Sequence, residues 1–245
     1  MAIAATSSGL GRSILRYVLL LALALAAVAA VLLAIGPIGW RAGWWHFRFA
    51  FLTLMPWAGY LGVGALIVSA LVLLVKSPIA AIAFAAGALI AYVPWHYDQI
   101  RQTVPPIHDI TTDPDNPPAF VAVVPLRAAA GDDRVAYEGP KLAEQQKRAY
   151  PDIAPVTLAL APKEAFGRAL DTARHMRWTI VVADDTAGRI EASERSRWFG
   201  FTDDVVIRVA ATDSGSRVDL RSSSRRTQRF WRQCRTHPRL YRGIT

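Results

Sequence analysis

Tyr17–Ile35 reads YVLLLALALAAVAAVLLAI, nineteen residues without a charge. At about 1.5 Å of rise per residue, a helix of that length nearly crosses a hydrocarbon core of roughly 30 Å. Gly36-Pro37 follows and is expected to end it. Two further uncharged stretches come next, Phe49–Val75 and Ile79–Trp95, the second shorter and rich in Ala. Gly59, Gly62 and Gly64 in the longer one are small residues that let helices approach closely. The pattern predicts three transmembrane helices at about 15–38, 48–75 and 78–95, within a membrane region of residues 1–98. Only Lys76-Ser77-Pro78 links the last two, so they form a tight antiparallel hairpin. A cleaved signal peptide fits less well, because the first apolar run exceeds a usual signal core and two more follow. Trp40, Trp44, Trp45 and Phe47 lie between the first two stretches and Trp95 closes the third, where aromatic rings favour the bilayer interface.

Charge divides the chain further. Residues 1–95 hold no acid and five basic residues, and residues 225–245 hold seven Arg and no acid. This leaves 16 of the 28 basic residues against all 19 acidic ones for 96–224. The net charge of +9 therefore belongs to the anchor and the tail, and no nucleic-acid partner is expected of a slightly acidic domain. With one cysteine, Cys234, there is no internal disulfide and no multi-cysteine metal site. Orientation is not decided by charge: Arg12, Arg16 and Lys76 on one side balance Arg41, Arg48 and Arg101 on the other.

After the anchor, residues 99–118 read as a connector interrupted by Pro105-Pro106, Pro114 and Pro117-Pro118. His108, Asp109, Asp113 and Asp115 are close enough in sequence to suggest divalent-metal ligands, but Asp and Asn beside Pro are ordinary turn formers, and turn chemistry is the preferred reading. A soluble α+β domain is expected over 119–224. It begins with a short β-like run, AFVAVVP at 119–125, and a polar helix over 139–150. Val156–Leu160 alternates as a strand. Pro162 opens a helix with Ala165, Phe166, Ala169, Leu170, Ala173 and Met176 on one face. Four strands follow, at 178–183, 189–195, 204–211 and 216–222. Val205, Ile207, Val209, Val218 and Leu220 point inward, and Arg217, Asp219 and Arg221 are expected outward. The order specifies an antiparallel sheet packed on helix.

The segments TVPPIHDITTD, DNPPAF, YEG, YPDIAP, GRIEASERSRWFGFTDDVVIRV and SRVDLRSSSR, between residues 103 and 224, resemble the bacterial membrane family called domain of unknown function 1499. GPIGWRAGWW and AYVPWHYD in the anchor resemble the multi-span version of that family. The resemblance implies no established activity. It implies a domain outside the cytosol and so, with three spans inverting the ends, a multi-pass protein of the inner (plasma) membrane with the domain on the periplasmic face. The element order is also similar to helix-grip folds, which close a long C-terminal helix over a sheet and carry apolar ligands; that likeness is topological only. Relatives continue after the last strand with a helix of the kind SRVGRSDFGANAARIRAF. This chain instead has a basic stretch without apolar period, interrupted by Pro238. One permitted coding, with two bases inserted after the codon for Arg225, reads SRVGRSDFGGNAARIRAFIAA. Residues 225–245 are thus expected to be an irregular tail, out of frame, that leaves the five inward aliphatic residues partly wet. Anionic lipid binding is the alternative reading of that tail.

No catalytic residues are nominated. No nucleophile elbow, P-loop, dinucleotide fingerprint or HExxH occurs, and no cofactor is expected. Glu191 and Glu194, three apart on a strand, point to opposite faces and cannot work as a pair. His175 sits late in its helix, where a cation suits the dipole. The candidate contact group is Arg195, Arg197, Trp198, Phe199 and Phe201, which either touches lipid headgroups, a hydrophobic ligand or a partner, or caps the core of the sheet. The expected role is a non-catalytic envelope protein that binds a lipid or other apolar ligand between sheet and helix. The alternatives are an assembly protein contacting envelope partners and, third, an enzyme of unrecognised type.

Overall fold

The computed structural model describes residues 3–74, 76–103, 105 and 107–225, with side chains from Ser13 onward. Two compact units divide at Thr103.

The first unit is helical. Three of its helices are long and apolar enough to cross a membrane: Ser13–Arg41, Phe47–Leu73 and Pro78–Thr103. The first belongs to α1 (Ile3–Arg41), which runs on through Pro37 rather than ending there. Proline removes a single N–H from the ladder, and a long apolar helix tolerates that loss. The second stretch holds α2 (Phe47–Phe49), a wide π-type turn over Ala50–Leu54, and α3 (Met55–Leu73). The wide turn lies just ahead of Pro56, where the α ladder lacks a donor. α4 spans Pro78–Thr103 and so continues eight residues beyond Trp95. Its last turns are supported by Asp98, which accepts hydrogen bonds from Arg101 at 3.1 Å and Gln102 at 2.7 Å. α3 and α4 touch backbone to backbone. A Cβ on Gly62 would meet Ala91 N at 2.9 Å, and one on Gly87 would meet the Gly62 carbonyl oxygen at 2.8 Å. Only glycine permits that approach.

The second unit is an α+β domain around an antiparallel six-stranded sheet. Its strands are β1 (Asp109–Thr111), β2 (Val156–Leu158), β3 (Thr179–Asp184), β4 (Arg189–Arg195), β5 (Thr202–Thr212) and β6 (Gly215–Ser224). The order is β1-β6-β5-β4-β3, and β2 also pairs with β6. β1 takes residues 221–223 of β6 and β2 takes 216–218, so the two short strands form one divided edge. The sheet therefore begins at Asp109, inside the stretch read from sequence as connector.

Three helices accompany the sheet: α5 (Val124–Ala129), α6 (Pro140–Ala149) and α7 (Pro162–His175). α7 places Ala165, Phe166, Ala169 and Ala173 against Ile190, Ala192, Val205, Ile207, Val209, Val218 and Leu220. The five aliphatic residues expected to be partly wet are instead 0–7 % exposed, because they share a core with α7. The rest of the tail reading falls on residues 226–245, outside the described residues.

Two expectations fail on the opposite face. AFVAVVP forms no strand. Residues 119–123 are irregular and lead into α5, because their N–H groups are taken by a carboxylate rather than by a neighbouring strand. Asp219 and Arg221, expected outward, are 1 % and 3 % exposed, since residues 112–138 fold over them.

Candidate functional site

Alternation along β4, β5 and β6 puts Arg189, Glu191 and Ser193, then Asp204, Val206 and Arg208, then Arg217, Asp219 and Arg221, on one face of the sheet, in cross-strand register. This face binds the covering segment through charge. The Glu191 side chain is fully buried. It accepts hydrogen bonds from the backbone N–H of Val121 at 2.9 Å, Ala122 at 3.0 Å and Val123 at 2.9 Å. These lie at the N-terminal end of α5, where an anion is favoured. Arg221 donates Nε to Asp109 Oδ1 at 2.9 Å and Nη2 to Oδ2 at 2.6 Å, a two-pronged pair closed by the carbonyls of Pro118 and Val135. Its guanidinium also lies over the Phe120 ring, 4.8 Å from the centroid. Arg127, 1 % exposed, pairs with Asp132 at 2.7 Å and Asp204 at 3.3 Å and donates to the carbonyls of Ser223 and Ser224. Burial raises the pKa of Asp109 above its ordinary value, more than Arg221 lowers it. The half-buried Tyr137 is pushed up to about 12, first by burial and then by the charge of Asp109.

The suggested metal ligands are dispersed by these pairings. Asp109 is held by Arg221, Asp113 by Arg208 at 3.1 Å and Arg217 at 2.7 Å, and Asp115 by Lys147 at 3.1 Å. Asp113 also accepts from Asn116 N–H at 3.0 Å, the turn chemistry expected of it. The His108 carbonyl accepts from Ser224 N–H at 3.0 Å. Among the described residues no group of three or more His, Cys, Asp or Glu could hold a metal ion.

The candidate contact group occupies the β4–β5 hairpin. Ser196 Oγ accepts from Phe201 N–H at 2.7 Å, Ser196 N–H donates to the Phe201 carbonyl at 2.7 Å, and Gly200 N–H donates to the Ser196 carbonyl at 2.9 Å. Gly200 takes φ +69°, which a side chain would resist. The group divides in this turn. Phe201 is buried and Phe199, half-buried, stacks on it at 5.3 Å. Trp198, directly after exposed Arg197 and three residues beyond exposed Arg195, is 72 % exposed.

Sequence reasoning missed Arg127, Asp132, Glu191, Asp204, Asp219 and Arg221 as one set. The available signal was the recurrence of charged residues at alternate positions on three successive strands.

Residues 109–229 match the family described as Protein of unknown function (DUF1499). The sheet domain is a DUF1499 domain. No curated protein and no solved structure matches the chain. The match begins at Asp109, the first residue of β1, so the DUF1499 unit takes in the segment that covers the charged face.

One further group in the DUF1499 domain carries an unmet polar atom. Trp178, 5 % exposed, lies in the core shared by α7 and the sheet, and its indole Nε1 is buried with no acceptor among the described residues. An unmatched buried donor costs about 1–3 kcal/mol.

Proposed function

We propose that this chain is a membrane-anchored, non-catalytic envelope protein whose DUF1499 domain binds a lipid or another apolar ligand between α7 and the sheet. Three helices of bilayer length precede the domain, and their apolar residues face outward along most of their length, as a hydrocarbon surrounding favours. The packing of α7 on one face of an antiparallel sheet supports the reading, because it sets an apolar helix face against apolar strand residues. The observation that carries the ligand reading is Trp178. Its Nε1 is an unmatched donor within an apolar cluster rimmed by the partly buried Leu158, Leu160, Leu170, Met176 and Ile180. A ligand with an apolar chain and one oxygen acceptor, such as an acyl ester or fatty acid, satisfies both features.

The non-catalytic reading is supported by the charged face. Glu191 and Asp204 are committed to hydrogen bonds from the cover, through Val121 and Arg127, and Asp109 and Asp219 to arginines of the sheet, Arg221 and Arg208. The proposed orientation has the N-terminus inside and the domain on the outer, periplasmic face of the plasma membrane of a bacterium. Native mass spectrometry of the full chain released from detergent micelles tests the ligand reading. A bound lipid-sized mass that Trp178→Phe weakens supports it; an empty protein with a solid core contradicts it. The second reading, an assembly protein meeting envelope partners, is favoured by the exposed Trp198 and gains from an empty core.

A further inference from the structure

The register of the sheet places the β4–β5 hairpin at a particular end. The chain enters the domain at His108, and the His108 carbonyl accepts from Ser224 N–H. Ser224 pairs with Asp203, Arg225 N–H donates to the Thr202 carbonyl at 3.2 Å, and Thr202 pairs with Arg195. The loop 196–201 therefore lies at the same end of the sheet as the point of entry from the apolar helices. The turn between Thr212 and Gly215 marks the other end. Strands are spaced by about 4.8 Å, so the hairpin is displaced sideways from the entry by only about 10–14 Å.

We infer that the β4–β5 hairpin docks on an anionic lipid surface, with Trp198 in the headgroup layer and Arg195 and Arg197 on lipid phosphates. This rests on the membrane-anchored reading of the helices. The chemistry fits on three counts. Trp prefers the interface, where its ring is half in hydrocarbon and its N–H meets polar groups. Two exposed guanidiniums beside it complement phosphate, and each basic residue near an anionic surface strengthens binding about five-fold. The loop is already fixed by the Ser196–Phe201 and Ser196–Gly200 hydrogen bonds and by Arg195 Nε donating to the Gly200 carbonyl at 3.3 Å. Little order remains to be lost on docking. Glu194, half-buried on the same strand, is the one acid adjoining the two arginines in sequence. The anionic surface is the one that holds the anchor, since a domain joined to α4 by residues 104–108 alone always has that surface within reach.

The full chain tests this when it carries 5-fluorotryptophan at its eight Trp positions in lipid nanodiscs. The nanodiscs contain phosphatidylcholine alone or mixed with phosphatidylglycerol, each with a headgroup-region spin-labelled lipid. Trp198→Phe identifies the Trp198 resonance by its loss. Trp40, Trp44, Trp45, Trp57 and Trp95 report insertion of the helices independently. The expected result is broadening of Trp198 in the anionic discs only, reversed by high salt. The docked-to-undocked ratio should fall about twenty-five-fold in Arg195→Gln/Arg197→Gln. Broadened helix signals with a sharp Trp198 in both discs overturn the docking and leave the anchor standing. Equal broadening in both discs overturns the anionic specificity. Trp198 shielded from a soluble relaxation agent but not broadened by lipid makes the hairpin a protein-binding surface and overturns the proposal. Sharp helix signals overturn the membrane reading, and the docking with it.

Discussion

Glu191→Gln is the most informative single change in the domain. In the wild-type chain Oε1 accepts from Val121 and Ala122 and Oε2 from Val123, all at 2.9–3.0 Å, with Arg189 Nε 3.2 Å from Oε1. A glutamine keeps one acceptor oxygen. Placed best, that oxygen retains Val121 and Ala122, and its amide nitrogen then faces the Val123 N–H, donor against donor. Val123 is fully buried, so its N–H finds no water, a loss of about 1–3 kcal/mol. The two remaining hydrogen bonds fall from charge-assisted to neutral, about 1 kcal/mol each. Relief of a buried charge offsets part of this. A net destabilisation of about 3 kcal/mol is expected, a large share of the roughly 5–15 kcal/mol typical of a domain. For a domain of this size it lowers the melting temperature by roughly 10 °C. Scanning calorimetry of the detergent-solubilised chain measures the shift, and hydrogen exchange at residues 121–123 localises it. Glu194→Gln is the control. A drop of less than about 3 °C with unchanged exchange at 121–123 refutes the claim that Glu191 fastens the cover to the sheet.

Other outcomes follow from the same geometry. The folded-state pKa of Asp109 is raised above 3.8, so the native state binds the proton more tightly than the unfolded chain. Its contribution to stability is present below pH 3.8 and is lost as pH rises through the folded value. Asp109→Asn should flatten that segment of the urea-midpoint profile against pH. Gly62→Leu should separate α3 from α4 and lower the midpoint of detergent-induced unfolding followed by circular dichroism. Gly64→Ala, whose added methyl would find Leu25 at 3.6 Å, should leave it unchanged. Resequencing the gene around the codon for Arg225 should reveal a displaced frame; an intact frame shared by close relatives makes the basic tail real.

Much of this architecture is legible in the sequence because its signals are local. Uncharged runs mark the three long helices whatever surrounds them. The strand at 189–195 and the face of α7 follow from periods of 2 and 3.6. Family membership was legible in segments such as RWFGFTDDVVIRV, which the match to DUF1499 bears out. What was not legible is tertiary. AFVAVVP has strand composition, but three of its N–H groups are captured by Glu191, some seventy residues away in sequence. Asp219 and Arg221 alternate as a solvated face would, and no local feature says that residues 112–138 cover them. The contact group was read as one unit although the turn at Gly200 divides it, burying Phe201 and exposing Trp198.

On the proposed reading, a three-helix membrane anchor carries the DUF1499 domain on the outer face. Protease treatment of intact spheroplasts expressing the full chain tests it most directly. External protease should digest the domain and leave a membrane-embedded N-terminal fragment. A domain protected in spheroplasts but cleaved in inverted vesicles, or a chain recovered in the soluble fraction, contradicts it.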